Sequence, residues 1–187
     1  MPADTREKIL QAAFRVLSRD GYENASIKEI AEQAGVAQGL VHYYFKSKQQ
    51  LVVAVLMSVC AQMNAYDTSE GQAGALAAFE NFKRMLNEKR DVHSLYVELI
   101  GVGLHDPEVG AGILNDIRAN RGAVEDVARQ VLAEREADPT PARAIASAVW
   151  AAILGIIVQH LVDPEFHADE AVDALAAMSL SAVYSQQ

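Results

Sequence analysis

Apolar residues recur at intervals of three and four almost from the start of the chain. Ile9, Leu10, Ala13, Phe14 and Leu17 form one stripe and predict a helix over Asp4 to Asp20, closed by Asp20-Gly21. Asp4, with Glu7 three residues on, is its expected cap. Ser26-Ile27-Lys28-Glu29 opens a second helix as a capping box, in which Ser26 accepts the Glu29 amide and Glu29 reaches back to the Ser26 amide. Ile27, Ile30, Ala31 and Ala34 give it an apolar face, and Gly35 suits the left-handed residue that ends a helix. Val36 and Ala37 restart the chain, and a third helix runs to about Phe45. At roughly 100° per residue, Ala37, Val41, Tyr44 and Phe45 share one side of it. Gly39, His42, Tyr43 and Lys46 point the other way, with Gln38 on the flank.

Ser47 starts a fourth helix, with Gln50 completing a second S-x-x-Q box. Leu51, Val52, Val55, Leu56, Val59, Cys60 and Met63 carry it to about Tyr66. No Pro/Gly linker interrupts it, so the expected domains, 1–46 and 47–187, meet at a shared helix. After the polar break Thr68 to Gln72, a fifth helix reaches Lys89, with Leu76, Phe79, Phe82, Lys83 and Leu86 in its pattern. Arg90-Asp91 breaks the chain again before the apolar stretch Val92 to Leu104. His105-Asp106-Pro107 is a turn, and Pro107 opens a long helix expected to end near Ala137. Asp138-Pro139-Thr140-Pro141 is a loop.

The last two helices differ from the rest. The 15 residues 144–158 carry no charge. A bilayer span needs about 20 apolar residues, so no membrane segment is expected, and a helix apolar all round is buried on every side. A small-residue helix from Asp169 to Tyr184 follows. A chain this size can hardly cover both. The expected solution is a homodimer in which residues 142–162 and 169–184 of each subunit pack as four helices. The fold class is therefore all-α: a three-helix helix–turn–helix domain, then a helical ligand-binding and dimerisation domain, about nine helices in total.

The outer face of the third helix gives this architecture a function. A small residue, an amide and aromatic hydrogen-bonders are odd for a merely solvated face, but they suit base edges, thymine methyls and phosphates in a major groove. Gln38, Gly39, His42 and Tyr43 are the candidate readers of bases or sugar-phosphate. Ser26, Lys28, Lys46 and Lys48 are the candidate phosphate contacts. Lys48 stands in the first turn of its helix, where a cation opposes the helix dipole, a cost that makes sense if a phosphate lies close by. Arg6 and Lys8 suit either phosphate contact or solvation.

Thr5-Arg6-Glu7-Lys8-Ile9-Leu10-Gln11-Ala12-Ala13-Phe14, Gly21-Tyr22, Ser26-Ile27, Ile30-Ala31, Ala34-Gly35-Val36 and Tyr43-Tyr44-Phe45-Lys46-Ser47-Lys48 together resemble the DNA-binding domain of the TetR family of bacterial transcriptional regulators, over about residues 5–52. One position departs. The family often opens the recognition helix with Ser or Thr, whereas Ala37 stands here, so that cap or phosphate contact is missing or supplied by Gln38. The resemblance implies a homodimer on a palindromic double-stranded operator, released when a small-molecule effector binds.

Charge fits such a partition. Residues 1–48 carry seven Lys+Arg against six Asp+Glu and the remainder nine against 19, for the net −9 of the whole chain. An acidic body held away from DNA limits non-specific binding. The single cysteine, Cys60, permits no intrachain disulfide, and no signal-peptide pattern opens the sequence, which together predict a cytoplasmic protein. The candidate effector residues are Met57, Cys60, Met63, Phe82, Met85, Tyr96, Leu99, Trp150 and Leu154, most of which ordinary core packing also explains. Glu98, the only charge between Val92 and Leu104, and His93 are the polar candidates. Turned inward, Glu98 would bind a cation or a polar group. No HExxH, CxxC, GxSxG, P-loop or GxGxxG occurs, so no enzyme, cofactor or metal site is expected. The two alternatives are a small all-α enzyme and a structural helical homodimer that binds no DNA; the second leaves the exposed Gln38, His42 and Tyr43 unexplained.

Overall fold

In the computed structural model, which describes residues 2–63 and 71–184, nine helices occur among the described residues. They are α1 (Pro2–Asn24), α2 (Ile27–Ala34), α3 (Gln38–Tyr44), α4 (Lys48–Met63), α5 (Gly71–Glu88), α6 (Arg90–Gly103), α7 (Pro107–Ala133), α8 (Ala142–Val162) and α9 (Ala168–Tyr184). The chain forms two compact units. The first is Met1–Met63 with Asp91–Asp116, and the second is Asn64–Arg90 with Ile117–Gln187. These packing units differ from the 1–46 and 47–187 division expected from sequence, because α4 and α6 are built into the unit that holds α1.

In the first unit the stripe of α1 packs on α2 and α4. Ile9, Val16, Leu17, Ile30, Val41, Leu51, Val52, Val55 and Leu99 are its fully buried side chains. The second unit is centred on Ala75, Ala128, Val131, Leu132 and Ala142, with Val127, Ile145 and Leu180 packed on them. Helix ends are closed by side chains from other elements. Glu134 accepts the Gln72 amide at 3.0 Å. Arg90 donates to the carbonyls of His160 and Leu161 at the end of α8, at 3.1 and 2.7 Å.

Three boundaries move. The first helix breaks at Asp20-Gly21, as expected, but a further helical turn follows the break. It kinks at Gly21 (φ 76°, ψ 172°) and continues to Asn24, and Asp4, inside it, pairs with Lys8 at 3.0 Å instead of capping. Arg90, expected in a break, begins α6. The long α7 ends at Ala133, short of Ala137: the amides of Glu136 and Ala137 turn back to Ala133 and Leu132, and Glu136 takes the left-handed conformation (φ 54°). A fourth expectation, the extension of α4 to Tyr66, lies outside the described residues.

The end of α6 and the start of α7 meet backbone to backbone. A Cβ on Gly110 would stand 2.5 Å from the Gly103 carbonyl oxygen, which cannot swing aside as a flexible side chain would. Gly103, part of a Gly-Val-Gly run with no ligand role in the sequence, is thus a packing residue. Gly110→Ala is expected to destabilise the protein by about 1–3 kcal/mol through overpacking. Gly122→Ala, whose Cβ meets nothing within 4 Å, is the control and gains about 0.5–1 kcal/mol from helix propensity. Denaturant midpoints decide it; equal shifts for the two variants would rule out the close crossing.

Candidate nucleic-acid interface

The pair α2–α3 is built as the sequence predicts, with one exchange of partners. Ser26, extended at the head of α2, accepts the Glu29 amide at 3.1 Å. Glu29 does not complete the box; its carboxylate pairs with Arg19, which also grips Asp20 at 2.8 and 2.6 Å. The hydrogen bond to Asp20 raises the Arg19 pKa and lowers that of Asp20. Gly35 sits at φ 67° and ψ 35°, its amide and that of Val36 returning to Glu32 and Ala31, which closes α2 and sets the turn. Ala37 opens α3 with no side-chain cap, so the contact a Ser or Thr would make there is missing.

Helix α3 is held from beneath by Val41 and Phe45, both buried, with Tyr44 half-buried. Ala37, expected on that side, is exposed. Above it, Gln38, Gly39, His42 and Tyr43 all face solvent, Tyr43 at 70% exposure. The Tyr43 ring stands edge-on to Tyr44 with centroids 5.3 Å apart, and Lys46 Nζ lies 5.9 Å above it. Lys28 and Lys46 are exposed; Lys28 has only a loose 3.9 Å approach to Glu32. Arg6 lies over the Phe45 ring at 5.4 Å.

Two candidate residues have other duties. Lys48, a candidate phosphate contact, is turned onto the end of α1. Its ammonium donates to the Tyr22 carbonyl and, at 3.4 Å, to that of Glu23, and lies 4.4 Å from the Tyr22 ring centroid. Burial pushes its pKa down, against the pull of Glu23 and Glu98. Those carbonyls, rather than a phosphate, offset the unfavourable dipole. Glu98 does not turn into a pocket either. Its Oε1 accepts the Tyr22 amide at 2.6 Å, at the kink of α1.

The same joint holds a further set of polar residues, of which Gln49 and Glu108 carry no sequence signal. Asp106 caps α7 through the Glu108 and Val109 amides at 3.0 and 3.2 Å and accepts Gln49 Nε2 at 3.1 Å. The Val109 amide, then Gln49, hold its carboxyl below the usual range. Ser47 accepts the Gln50 amide at 3.0 Å and donates to Glu108 at 3.2 Å. Gln50 takes the Lys46 amide, one residue earlier than a capping box requires. The usable signals are the helix-opening pair Asp106-Pro107 and the S-x-x-Q pattern from Ser47 to Gln50, of which the Ser47 half forms.

The candidate effector residues are divided between the two units. Met57, Tyr96, Glu98 and Leu99 belong to the first unit, and Phe82, Met85, Trp150 and Leu154 to the second. The side chains of Cys60 and Met63 lie outside the described residues. Leu99 is core, and Tyr96 donates to buried Asp116 at 2.7 Å beside a helix that also buries His93. Met57, 44% exposed, edges an open groove of about 720 Å³ lined by Arg6, Leu10, Val53 and Glu108. Phe82 shares an apolar pocket of about 60 Å³ with Ala75, Phe79, Val124, Val127 and Ile153. Trp150 is buried with its Nε1 unpartnered. Among the described residues no group of three His, Cys, Asp or Glu side chains stands close enough to hold a metal.

A capped helix, a left-handed turn and a short helix with an exposed polar and aromatic face together make a helix–turn–helix. Residues 9–55 match the family model of the "Bacterial regulatory proteins, tetR family". The HTH-type transcriptional regulator YvdT of Bacillus subtilis is 48% identical over 58 residues, 29% of this chain and 30% of that protein. The Escherichia coli HTH-type transcriptional regulator UidR is 27% identical over 113 residues, 59% of this chain and 58% of UidR. These matches span less than two thirds of either relative. The structure of Salmonella enterica GusR superposes with a TM-score of 0.81 over 98% of this chain and 97% of GusR, at 18% identity, a likeness of fold. Over residues 9–55, then, the chain carries the DNA-binding domain of the TetR family, and its fold as a whole is like that of GusR.

The geometry of Lys48 predicts the result of removing it. Lys48→Met should lower stability by about 1–3 kcal/mol, the cost of leaving carbonyls without a charged donor. It should leave the salt dependence of DNA binding unchanged. Thermal melts and titrations across a salt series check both, and a shallower slope would return Lys48 to the phosphate contacts.

Proposed function

We propose that the protein is a repressor that binds a palindromic operator as a homodimer and is released by a small-molecule effector. The observation that carries this reading is the solvent-facing set Gln38, Gly39, His42 and Tyr43 on a helix fixed from below by Val41 and Phe45. In this reading those four residues read the groove, Lys28 and Lys46 hold phosphates, and Ser26 adds its place at the head of α2. The protein is a cytoplasmic regulator and not an enzyme.

The dimer is supported by what α8 leaves uncovered. The helix spans the 142–162 expected from sequence; with 21 residues and a mean hydropathy of 2.0 it is, by length and composition alone, long enough to cross a bilayer, although its charge-free run is only the 15 residues 144–158. It is not buried on every side. Ala146, Val149, Trp150, Ile153, Ile156 and Ile157 pack inward, while Ala144, Ala148, Ala151, Val158 and Val162 recur at heptad-like spacing on an exposed stripe. On α9, Met178 is 67% exposed. We assign this face to a second copy of the chain rather than to lipid: its small side chains permit the close approach of a four-helix seam through 142–162 and 169–184.

Helix α4, residues 47–66 in the expected numbering, is the proposed lever. A shift of a few ångströms between two recognition helices breaks their match to adjacent grooves. By linkage, operator must weaken effector binding by the same factor that effector weakens operator binding.

Two measurements test the reading. Light scattering should give twice the 20.2 kDa chain mass, and Ala151→Glu, a charge in the exposed stripe, should yield folded monomer. Selection from random duplexes should return a palindrome with half-sites about one helical turn or more apart. Lys28→Ala and Lys46→Ala should each reduce the salt slope by about one unit. An asymmetric single half-site, or no selected sequence at all, would sink the operator model.

A further inference from the structure

The peptide unit of Tyr22 is clamped from both ends. Gly21, at φ 76° and ψ 172°, breaks α1 and removes the Tyr22 amide from the helical ladder. Glu98 Oε1 takes that amide at 2.6 Å from a position 76 residues on, in α6. The room for it comes from glycine: a Cβ on Gly21 would stand 2.9 Å from the same oxygen. Across the peptide, Lys48 at the start of α4 holds the Tyr22 carbonyl and lies over the Tyr22 ring. The ring is buried, and its hydroxyl neighbours Asp106, which caps α7 and holds Gln49 of α4. The end of α1 is thus tied to α6 through its amide and to α4 through its carbonyl. Since α1 packs on α2 and α2 on α3, the α1 end sets where the reading helix lies.

We propose that Glu98 is a positioning residue for DNA recognition: through the Tyr22 amide it fixes the end of α1, and with it the α2–α3 pair, to α6. This gives the reading unit a second mechanical connection besides the α4 lever. A displacement of α6 along its axis pulls directly on the Tyr22 peptide, and a carboxylate acceptor makes that connection stronger than a neutral one. Gly21 is required twice, for its positive φ and for the space its missing side chain leaves to Glu98. The inference rests on the α3 reading face of the proposed function but on neither the effector nor the dimer.

The test uses the full chain and a duplex selected by the wild type from random sequence. Glu98→Ala should weaken binding to that duplex about tenfold, the scale of one hydrogen bond to a charged group. Glu98→Gln, which keeps an acceptor oxygen, should stay within about threefold of wild type, the shortfall of a neutral acceptor. Hydrogen exchange at the Tyr22 amide, slow in the wild type, should accelerate in Glu98→Ala and remain slow in Glu98→Gln. Gly21→Ala, which crowds Glu98 away while leaving its charge, should reproduce the Glu98→Ala loss, and the two should not add. Wild-type affinity in Glu98→Ala, or a Glu98→Gln loss as large as that of Glu98→Ala with the Tyr22 amide still protected, overturns the positioning role. If the wild type selects no duplex at all, it is the DNA-binding reading that has failed, and the exchange rates still report whether Glu98 holds the amide.

Discussion

Helix ends carry unpaired amides and carbonyls, and an all-helical chain must find partners for all of them. Here the partners for several ends come from other helices. The kink of α1 exposes one amide and two carbonyls, which are met by Glu98 of α6 and Lys48 of α4. Glu134 meets the Gln72 amide, Arg90 the last carbonyls of α8, and Arg135 the Leu180 carbonyl at 3.3 Å. Each such bond fixes the end of one element to the flank of another. Helix packing alone is tolerant of sliding, since ridges can shift by a residue along a groove. A side chain spent on a particular backbone amide is not, and this is what gives a bundle of short helices a single register.

The same constraint explains which parts of the fold were legible in the sequence. Ser26 and Gly35 are residue types with few other uses at a helix start and end, so α2 and the turn after it follow from local chemistry. The end of α7 is made the same way, by the same pair of backbone bonds, but the left-handed residue is Glu136. Nothing in a glutamate announces that conformation, and the helix was extended to Ala137. Gly21 was recognised as a breaker, but its neighbourhood was not, because the amide it frees is met by a residue 76 positions away. Long-range pairs of this sort have no sequence period. The candidate reading face was legible for the opposite reason: Val41 and Phe45 on one side and Gln38, His42 and Tyr43 on the other obey a single local period of 3.6 residues.

Lys48 and Glu98 show why residue type alone misplaces polar side chains. A lysine beside a proposed reading helix suggests phosphate, and a lone carboxylate in an apolar stretch suggests a buried ligand contact. Both inferences weigh a side chain against solvent or ligand and neglect the backbone. Once α1 kinks, the backbone offers an amide and two carbonyls at one joint, the positions where a carboxylate and an ammonium gain most from charge-assisted bonds. Helix α8 is a different case. Its composition predicts burial on all sides with part of the cover coming from a second copy, and the stripe from Ala144 to Val162 is exposed among the described residues of the single chain.

The reassignment of Lys48 also changes the electrostatic character proposed for the complex. The chain is acidic overall at −9, and residues 1–48 reach only +1 with Lys48 counted. With that ammonium turned to Tyr22 and Glu23, the exposed cations beside the candidate reading face are Lys28, Lys46 and Arg6, the last lying over the Phe45 ring. Few phosphate contacts mean little counterion release, and so weak sequence-independent binding. What discrimination the protein achieves must then come from the groups that reach base edges and from their placement, which depends on the angle at which α3 is held. A regulator built this way is sensitive to small displacements of its reading helix, because it has little non-specific attraction to hold it on DNA once the fit is lost. The polar joint at Tyr22 ties the end of α1, on which α2 packs, to α6 and α4, and under the proposed function it is a place where such a displacement would act.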